Sequence, residues 1–370
     1  MNQNNSLFRR VYNNVKERRE RILSGKINCI PWGLPRFENH LPGIEKGRYY
    51  LLTANSKVGK SQITDFLFLY NILLNIIEGR IKNKVKIFYF TLEMSKEEKM
   101  LSAFSHIIYV KEGIRIDTKD LKSTRKDKAL PEEVLDVIEK YQEYFNKLEE
   151  IVEFIDDIRH PTGINSVLVK YANANGTTHY RDMVIDGEKH KVFDYYEPND
   201  PEEYVMIIID HISLISTEKS NGVQQNLQES IVTLSSRYLI SLRNRYNYIP
   251  VVIQQQAAAQ ESVENKKANR LKPSLDGLGD SKLTARDANV ILGLFSPYRH
   301  EIPTYGGYDI SFFKDNIRFL EIVGGREGGG GVVTPLYFDG AVNYFKELPR
   351  ADDTYAVQEV KSFIEKIRNV

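Results

Sequence analysis

Short runs in which nearly every residue is apolar alternate along this chain with amphipathic and polar segments. A strand that is apolar on both faces is typical of a buried parallel sheet. The sequence predicts strands at 49–53, 84–91, 152–155, 204–210, 249–254, 290–295, 318–323, 332–338 and 341–347. Helical spacing predicts a helix from Ser61 and others at 96–110, 131–149, 162–173, 227–247 and 355–368. This alternation predicts an α/β fold, with a mostly parallel, twisted sheet flanked by helices.

Residues 174–203 differ from their surroundings because they are polar and rich in tyrosine. Asp186-Gly187 stands there between two apolar stretches, which is a hairpin signal. We expect a β-hairpin inserted at the surface, without a function of its own. The lysine-rich segment 111–130 and the polar segments 216–226 and 257–285 are predicted to be loops.

The stretch Ala-Asn-Ser-Lys-Val-Gly-Lys-Ser at 54–61 lies between a predicted strand and a predicted helix. It has the spacing of a phosphate-binding P-loop, with alanine in the place of the first glycine. Lys60 is expected to reach the β- and γ-phosphates of a nucleotide, and Ser61 to hold Mg²⁺. A Gly-Lys-Ser triplet alone could also be an ordinary turn. The predicted nucleotide-binding residues are Ala54, Asn55, Ser56, Lys57, Val58, Gly59, Lys60, Ser61 and Gln62.

Three further polar residues follow predicted strands, at the ends where ligands bind in α/β proteins. Asp210 closes an apolar run and is a candidate Mg²⁺ carboxylate. Glu93 is a candidate general base for the attacking water, or else a carboxylate favoured by the dipole of the helix that Ser95 and Glu98 cap. Gln256 is a candidate sensor of the γ-phosphate, or else a surface amide.

Two basic features suggest contacts with a second subunit. Arg326 lies in a glycine-rich stretch just past a predicted strand. It suits an arginine finger for a neighbour's nucleotide, although a solvated arginine in a flexible turn has the same pattern. Residues 6–23 have apolar positions at near-helical spacing among several arginines, which predicts an amphipathic basic helix. This helix is either an arm that docks on a neighbouring subunit or a solvated tail.

The composition limits the remaining possibilities. With 370 residues, 41% of them hydrophobic and 27% charged, the chain is globular in type. A net charge of +1 gives no overall basic field, so nucleic acid would have to bind at a local patch. The single cysteine, Cys29, excludes an internal disulfide and a cysteine-rich zinc site. Without the apolar core of a signal peptide or a run that could span a bilayer, we expect a soluble, cytoplasmic protein.

Together, these motifs resemble one family. The segment 54–61, Thr-Leu-Glu-Met-Ser at 91–95, Ile-Ile-Ile-Asp-His-Ile-Ser-Leu-Ile at 207–215 and Ile-Pro-Val-Val-Ile-Gln-Gln-Gln at 249–256 are similar to the ordered motifs of the ATPase domain of DnaB-type replicative helicases. These domains are RecA-like P-loop proteins. Segment 276–289 resembles the family's DNA-contacting loop and the strand after it. The chain then divides into an arm at 1–26, an ATPase domain at 27–348 with the insertion at 174–203, and a C-terminal helix at 349–370.

The resemblance implies an ATP- and Mg²⁺-dependent DNA helicase of bacteria or phage-infected cells. Glu93 would be its catalytic base, Arg326 would act in trans, and the arm helix would pack on the adjacent subunit. The assembly would be a ring, with six subunits in this family, that moves 5′ to 3′ on single-stranded DNA and meets a primase or a helicase loader. Loops at 216–226 and 270–286 would face the pore and contact the DNA backbone. The predicted DNA-binding residues are Lys272, Gly279, Ser281, Lys282 and Arg286.

The chain departs from the family's pattern at two points. Gly324 stands where the family usually has a lysine, two residues before the finger arginine. The family's helical N-terminal domain has no counterpart here, so we expect ring assembly to depend on the arm and the faces of the ATPase domain. A second hypothesis therefore stays open, in which the chain is a RecA-like module that binds ATP and single-stranded DNA, or helps loading, without unwinding.

Overall fold

Strands make up the centre of the computed structural model, which describes residues 7–220, 223–268, 270–279, 281–326 and 330–368. Asp280 of the predicted DNA loop and residues 327–329 of the glycine-rich stretch lie outside this part. The strands are β1 (Tyr50–Ala54), β2 (Val85–Thr91), β3 (Val152–Ile155), β4 (Gly176–Ile185), β5 (Glu188–Pro198), β6 (Tyr204–Asp210), β7 (Lys219–Ser220), β8 (Val223–Gln224), β9 (Ile249–Gln255), β10 (Val290–Phe295), β11 (Thr304–Tyr305), β12 (Tyr308–Asp309), β13 (Ile317–Gly325), β14 (Val333–Asp339) and β15 (Tyr344–Glu347).

Nine of these strands form one sheet in the order β15-β14-β13-β10-β1-β9-β6-β2-β3. The strands from β10 to β3 in this order are all parallel to one another. Strands β13, β14 and β15 extend the sheet in antiparallel pairs. The predicted α/β fold with a mostly parallel sheet is therefore confirmed.

Helices cover both faces of this sheet. The longer α-helical segments are Lys60–Asp65, Asn71–Ile77, Lys96–Glu112, Glu132–Lys140, Gln142–Ile151, Pro161–Ala174, Leu227–Val232, Ile240–Tyr246 and Thr354–Arg368. The π-helical turns Phe66–Tyr70 and Thr233–Leu239 join their neighbours into continuous helices over 60–77 and 227–246. The predicted capping box begins the helix after β2, where the Glu98 N–H donates to Ser95 Oγ at 3.2 Å and the Ser95 N–H to Glu98 Oε2 at 3.4 Å.

Successive residues of the central strands face opposite sides of the sheet, as the pleat requires. Leu52 packs in the cluster under the helix 60–77, whereas Leu51 packs in the cluster under Pro161–Ala174 and 227–246. Both side chains are buried. Two helical layers thus explain why the central strands carry almost no polar residues before their carboxyl ends.

Several segments differ in detail from the predictions. Segment 257–285 is not a continuous loop, because it contains the helix Val263–Lys267 and the start of Leu283–Asp287. The predicted helix 131–149 is two helices with a break at Tyr141. Segment 111–130 contains the helix Thr118–Leu121. Each of these differences involves one or two turns of helix, a length over which a period of 3.6 residues leaves little pattern.

Two elements project from the body. The helix Leu7–Leu23 is attached near its end, where Arg18 pairs with Glu45 at 2.9 Å and Arg21 with Glu202 at 2.6 Å. Strands β4 and β5 form an antiparallel hairpin that turns at Asp186 and Gly187. Within the described ranges, no helix has both the length and the apolar composition needed to cross a bilayer.

Candidate nucleotide site

The P-loop connects the end of β1 to the helix that begins at Lys60. Its two residues with positive φ are Lys57, at 58°, and Gly59, at 106°. Backbone turns of this kind make successive N–H groups converge on an anion. Ala54 is still part of β1 and needs no positive φ, so alanine is compatible with the place of the usual glycine.

Lys60 and Ser61 are the first two residues of the P-loop helix. Lys60 Nζ donates to the carbonyl of Asn55 at 3.3 Å and so lies across the loop. Burial lowers the pKa of Lys60, while the carboxylates of Glu93 and Asp210 oppose this shift. Ser61 Oγ donates to Asp210 Oδ1 at 2.9 Å. The structure therefore brings both predicted metal ligands into contact.

The second carboxylate oxygen of Asp210 belongs to a buried network that sequence reasoning missed. Asp210 Oδ2 accepts from Tyr89 Oη at 3.1 Å and from Lys99 Nζ at 3.1 Å. Lys99 also donates to both oxygens of Asp65, at 3.1 and 3.2 Å. Although burial opposes a charged amine, the carboxylates of Asp65 and Asp210 raise the pKa of Lys99 above its ordinary value. The network holds Asp210 from the side opposite to Ser61.

Two arginines that were not predicted hold the P-loop from below and from the side. Arg318 is 1% exposed, and its Nε donates to the carbonyl of Val58 at 2.8 Å. Its guanidinium carbon lies 4.3 Å from the ring centre of Phe338. Arg299 NH1 donates to the carbonyl of Lys57 at 2.8 Å. Both residues follow or begin strands beside β1, and only the strand order brings them to the loop.

A cleft of about 590 Å³ opens beside Ser61 and Gln62. Gln62 Nε2 donates to the carbonyl of Gly340 at 2.7 Å and to Asn343 Oδ1 at 2.5 Å. The other walls include Arg115, whose guanidinium pairs with Asp339 at 2.7 Å. This cleft adjoins the P-loop helix and leaves room for a ligand that extends from the loop.

Glu93 lies just beyond β2, whose last residue, Thr91, pairs in register with Asp210. The side chain of Glu93 is exposed, and its charge acts on Lys60. The predicted base thus lies at the same edge of the sheet as the P-loop and Asp210.

Gln256 also lies at this edge, but its side chain is buried. Its Nε2 donates to Thr53 Oγ1 at 2.9 Å and to the carbonyl of Ser274 at 3.1 Å. Gln254, which the sequence did not single out, donates to the carbonyl of Ser281 at 2.8 Å and to that of Gly279. The two glutamines therefore tie the strand next to the P-loop strand to the segment 274–281.

The predicted DNA-binding residues are only partly brought together. Gly279 and Ser281 are held in the body by the bonds to Gln254, and Ser281 is buried. Lys282 and Arg286 are exposed and close in sequence on the helix Leu283–Asp287 and its cap. Lys272 lies apart from them and pairs with Glu321 of β13 at 3.6 Å.

Arg326 lies at the opposite edge of the sheet from the P-loop. It follows β13, whose residue Gly325 pairs with Val290, the first residue of β10. Since β10 is parallel to β1, Val290 is at the amino edge of the parallel strands, roughly 15–20 Å from their carboxyl edge. Arg326 therefore does not reach the P-loop of its own chain.

The residues at the carboxyl edge fit a nucleotide triphosphate with Mg²⁺. Converging N–H groups and Lys60 provide the positive charge that phosphates require, and a hydroxyl with a carboxylate behind it is an oxygen donor set that Mg²⁺ prefers. Glu93 adds an exposed carboxylate that can accept a proton from water. The arrangement is suited to phosphoryl transfer to water.

Comparison with known proteins gives a fold-level match. No protein-family model and no curated protein matches the sequence. Among solved structures, one ATPase domain of a DnaB-like helicase matches with a TM-score of 0.65 and 17% identity, over 93% of this chain and 99% of that one. A DnaB-like replicative helicase, described with its interactions with primase, matches with a TM-score of 0.63 and 16% identity, over 92% of this chain and 67% of that one. The chain thus has the RecA-like fold of DnaB-type helicase ATPase domains.

Proposed function

We propose that this chain is the motor of an ATP-dependent DNA helicase, which hydrolyses ATP with Mg²⁺ and moves 5′ to 3′ along single-stranded DNA as a homohexameric ring. The observation that carries the proposal is the contact of Ser61 with Asp210, together with Lys60 and Glu93 at the same edge of the sheet. The fold shared with helicase ATPase domains supports it.

The chain's own residues have distinct tasks in this proposal. The P-loop amides and Lys60 bind the phosphates, and Ser61 provides a ligand to Mg²⁺, which neutralises charge on the transferred phosphoryl group. Glu93 accepts a proton from the attacking water. Arg326 completes the site of the adjacent subunit, since it is remote from its own P-loop. The finger arginine of related motors stabilises the charge of the transition state.

The link between hydrolysis and movement would run through β9. Gln256 bonds both to Thr53 of the P-loop strand and to Ser274, while Gln254 holds the backbone at 279–281. A change at the nucleotide would therefore move the segment that precedes Lys282 and Arg286. These two exposed cations would contact the phosphates of single-stranded DNA.

Partners beyond DNA belong to the same proposal. The solved DnaB-like helicase is described with primase, which supports a primase or a helicase loader as a partner here as well. The exposed helix Leu7–Leu23 would dock on the neighbouring subunit, and its attachment through Arg18 and Arg21 directs it away from the body.

A second candidate is a module that binds ATP and single-stranded DNA without unwinding. Gly324 favours it, because the helicase family has a lysine at this place and glycine supplies no second cation beside Arg326. Strand displacement on a forked duplex separates the two. We expect unwinding that needs ATP and Mg²⁺ and is lost in Lys60→Ala. ATP-dependent binding of single-stranded DNA without any displacement would select the second candidate.

A further inference from the structure

The buried lysine below the nucleotide site has a surrounding that the proposed mechanism does not use. Lys99 is 1% exposed, although it lies in the first turns of the helix Lys96–Glu112. A buried amine is costly unless it is paired and fully hydrogen-bonded. Its Nζ has four oxygen neighbours within 3.2 Å, which are both oxygens of Asp65, Tyr89 Oη and Asp210 Oδ2. This position is thus occupied by a charge that the fold has provided for.

The network divides the two oxygens of Asp210 between two tasks. Oδ2 accepts from both Tyr89 and Lys99, which uses its two lone pairs. Oδ1 accepts from Ser61 and keeps one lone pair. The carboxylate is therefore fixed from behind with only Oδ1 turned toward the P-loop. Rotation of the Asp210 side chain would break the bonds on both sides.

The partner on the P-loop helix ties this network to the loop itself. Asp65 is one helical turn beyond Ser61, so the two residues lie on the same face of the helix. Tyr89 Oη donates to Asp65 Oδ1 at 2.7 Å, and Lys99 bridges Asp65 to Asp210. The ion pair therefore joins the P-loop helix, the helix after β2 and the end of β6 directly behind the metal ligands.

We propose that Lys99, with Asp65, is a positioning residue for the metal site, which holds the Asp210 carboxylate so that Oδ1 faces Ser61 and the Mg²⁺ of bound ATP. The inference rests on the proposed nucleotide site and adds residues that act through Asp210 without touching the ligand. Groups behind a metal ligand change metal affinity by about 10–100-fold when they are removed.

The test measures binding of a non-hydrolysable ATP analogue by titration calorimetry, in EDTA and over a series of Mg²⁺ concentrations. Lys99→Met should raise the Mg²⁺ concentration for half-maximal tightening at least about tenfold, and leave the affinity in EDTA within about twofold. Because the single change leaves Asp65 unpaired, the double variant Asp65→Leu, Lys99→Met is measured as well. It removes both charges, and apolar replacement of a buried pair is usually tolerated. It should show the same shift.

Asn75→Ala is the matched control. Asn75 is buried in the same continuous helix, about 15 Å beyond Asp65, and its side chain bonds to Asn71. This change lowers stability without touching Asp210, and should leave the Mg²⁺ dependence as in the wild type. Wild-type dependence on Mg²⁺ in Lys99→Met and in the double variant would overturn the positioning role alone. A wild-type protein that binds no analogue, with or without Mg²⁺, would contradict the nucleotide site itself.

Discussion

Arg326 donates a hydrogen bond of 3.1 Å from its NH2 to the backbone carbonyl of Arg286. The contact joins the predicted finger to the helix Leu283–Asp287, which carries a predicted DNA contact. Both residues lie at the amino edge of the parallel strands, away from the P-loop of their own chain. A residue placed there can serve a nucleotide only if it belongs to a neighbouring subunit, and the bond to Arg286 would then connect that nucleotide to DNA.

Arg326→Ala should therefore abolish the ATPase activity of a homogeneous assembly, and mixing should partly restore it. Lys60→Ala subunits keep Arg326 but have a disabled P-loop, whereas Arg326→Ala subunits keep an intact P-loop. A mixed ring contains interfaces in which an intact P-loop meets an intact arginine. Removal of a finger arginine costs about 10³-fold or more in turnover, so even a small restored fraction is measurable. ATPase activity of the mixture no higher than that of either variant alone would argue against action in trans.

Glu93→Gln should separate binding from turnover. The substitution keeps the size of the exposed side chain and removes the group that accepts a proton. We expect ATP turnover to fall by at least about 100-fold, with analogue affinity nearly unchanged. Glu97→Gln, an exposed glutamate in the first turn of the next helix, is the control and should retain activity. Full hydrolysis by Glu93→Gln would mean that another group is the base.

His106 should make stability depend on pH. It is buried and stacked on Tyr70, with ring centres 4.3 Å apart, and burial lowers the pKa of His106 to about 4. Between that value and the ordinary value near 6.5, the unfolded chain binds a proton that the folded protein does not, so stability is complete above pH 6.5 and falls as the pH drops toward 4. At about 1.4 kcal/mol per pH unit, the loss approaches about 3 kcal/mol.

The comparison for this effect is His106→Asn, measured by urea unfolding from pH 7 to pH 4. The asparagine amide can still donate to the carbonyl of Val342, which lies 3.1 Å from Nδ1 of His106, but it does not titrate in this range. The variant should therefore lose less stability than the wild type as the pH falls. Parallel curves for the two proteins would show that His106 is not the group responsible.

The arm predicts a change in assembly without a change in folding. Val11 and Val15 lie on the helix Leu7–Leu23 with 54% and 61% of their surface exposed, so aspartates there cost the monomer little. If this face packs on a neighbour, each buried charge costs about 2 kcal/mol or more at the contact. Val11→Asp with Val15→Asp should shift the assembly toward monomers in sedimentation velocity.

The matched control on the same helix is Asn13→Asp with Asn14→Asp, which adds the same charge at exposed polar positions. It should sediment like the wild type, with an unchanged unfolding midpoint in both double variants. Equal assembly of the two double variants would exclude the apolar face of the arm as an interface.

The central fold could be predicted because its signals are local. Each buried strand is a continuous apolar run, and the polar residue that ends a run, such as Asp210, must lie at the carboxyl edge of a parallel sheet. The P-loop was recognisable because strand, loop and helix follow one another without interruption. The glycine turn at Asp186-Gly187 likewise marked the hairpin from four neighbouring residues.

The supporting residues of the site depend on contacts that no local pattern encodes. Lys99 and Asp65 are on different helices, and only the packing of these helices behind Asp210 pairs them. A carboxylate inside the apolar helix 60–77 was the available signal, because such a charge needs a partner. Arg318 and Arg299 reach the P-loop from strands far along the chain, and their role follows from the strand order β13-β10-β1.

The most direct test of the central claim is the position of nucleotide and metal in a cryo-electron microscopy structure of the protein with an ATP transition-state analogue, Mg²⁺ and single-stranded DNA. The account predicts phosphates over the amides of Gly59 to Ser61, with the metal about 2.1 Å from Ser61 Oγ and Arg326 of the adjacent subunit at the terminal phosphate. Nucleotide bound away from Lys60 and Asp210, or a site completed by no second subunit, would contradict it.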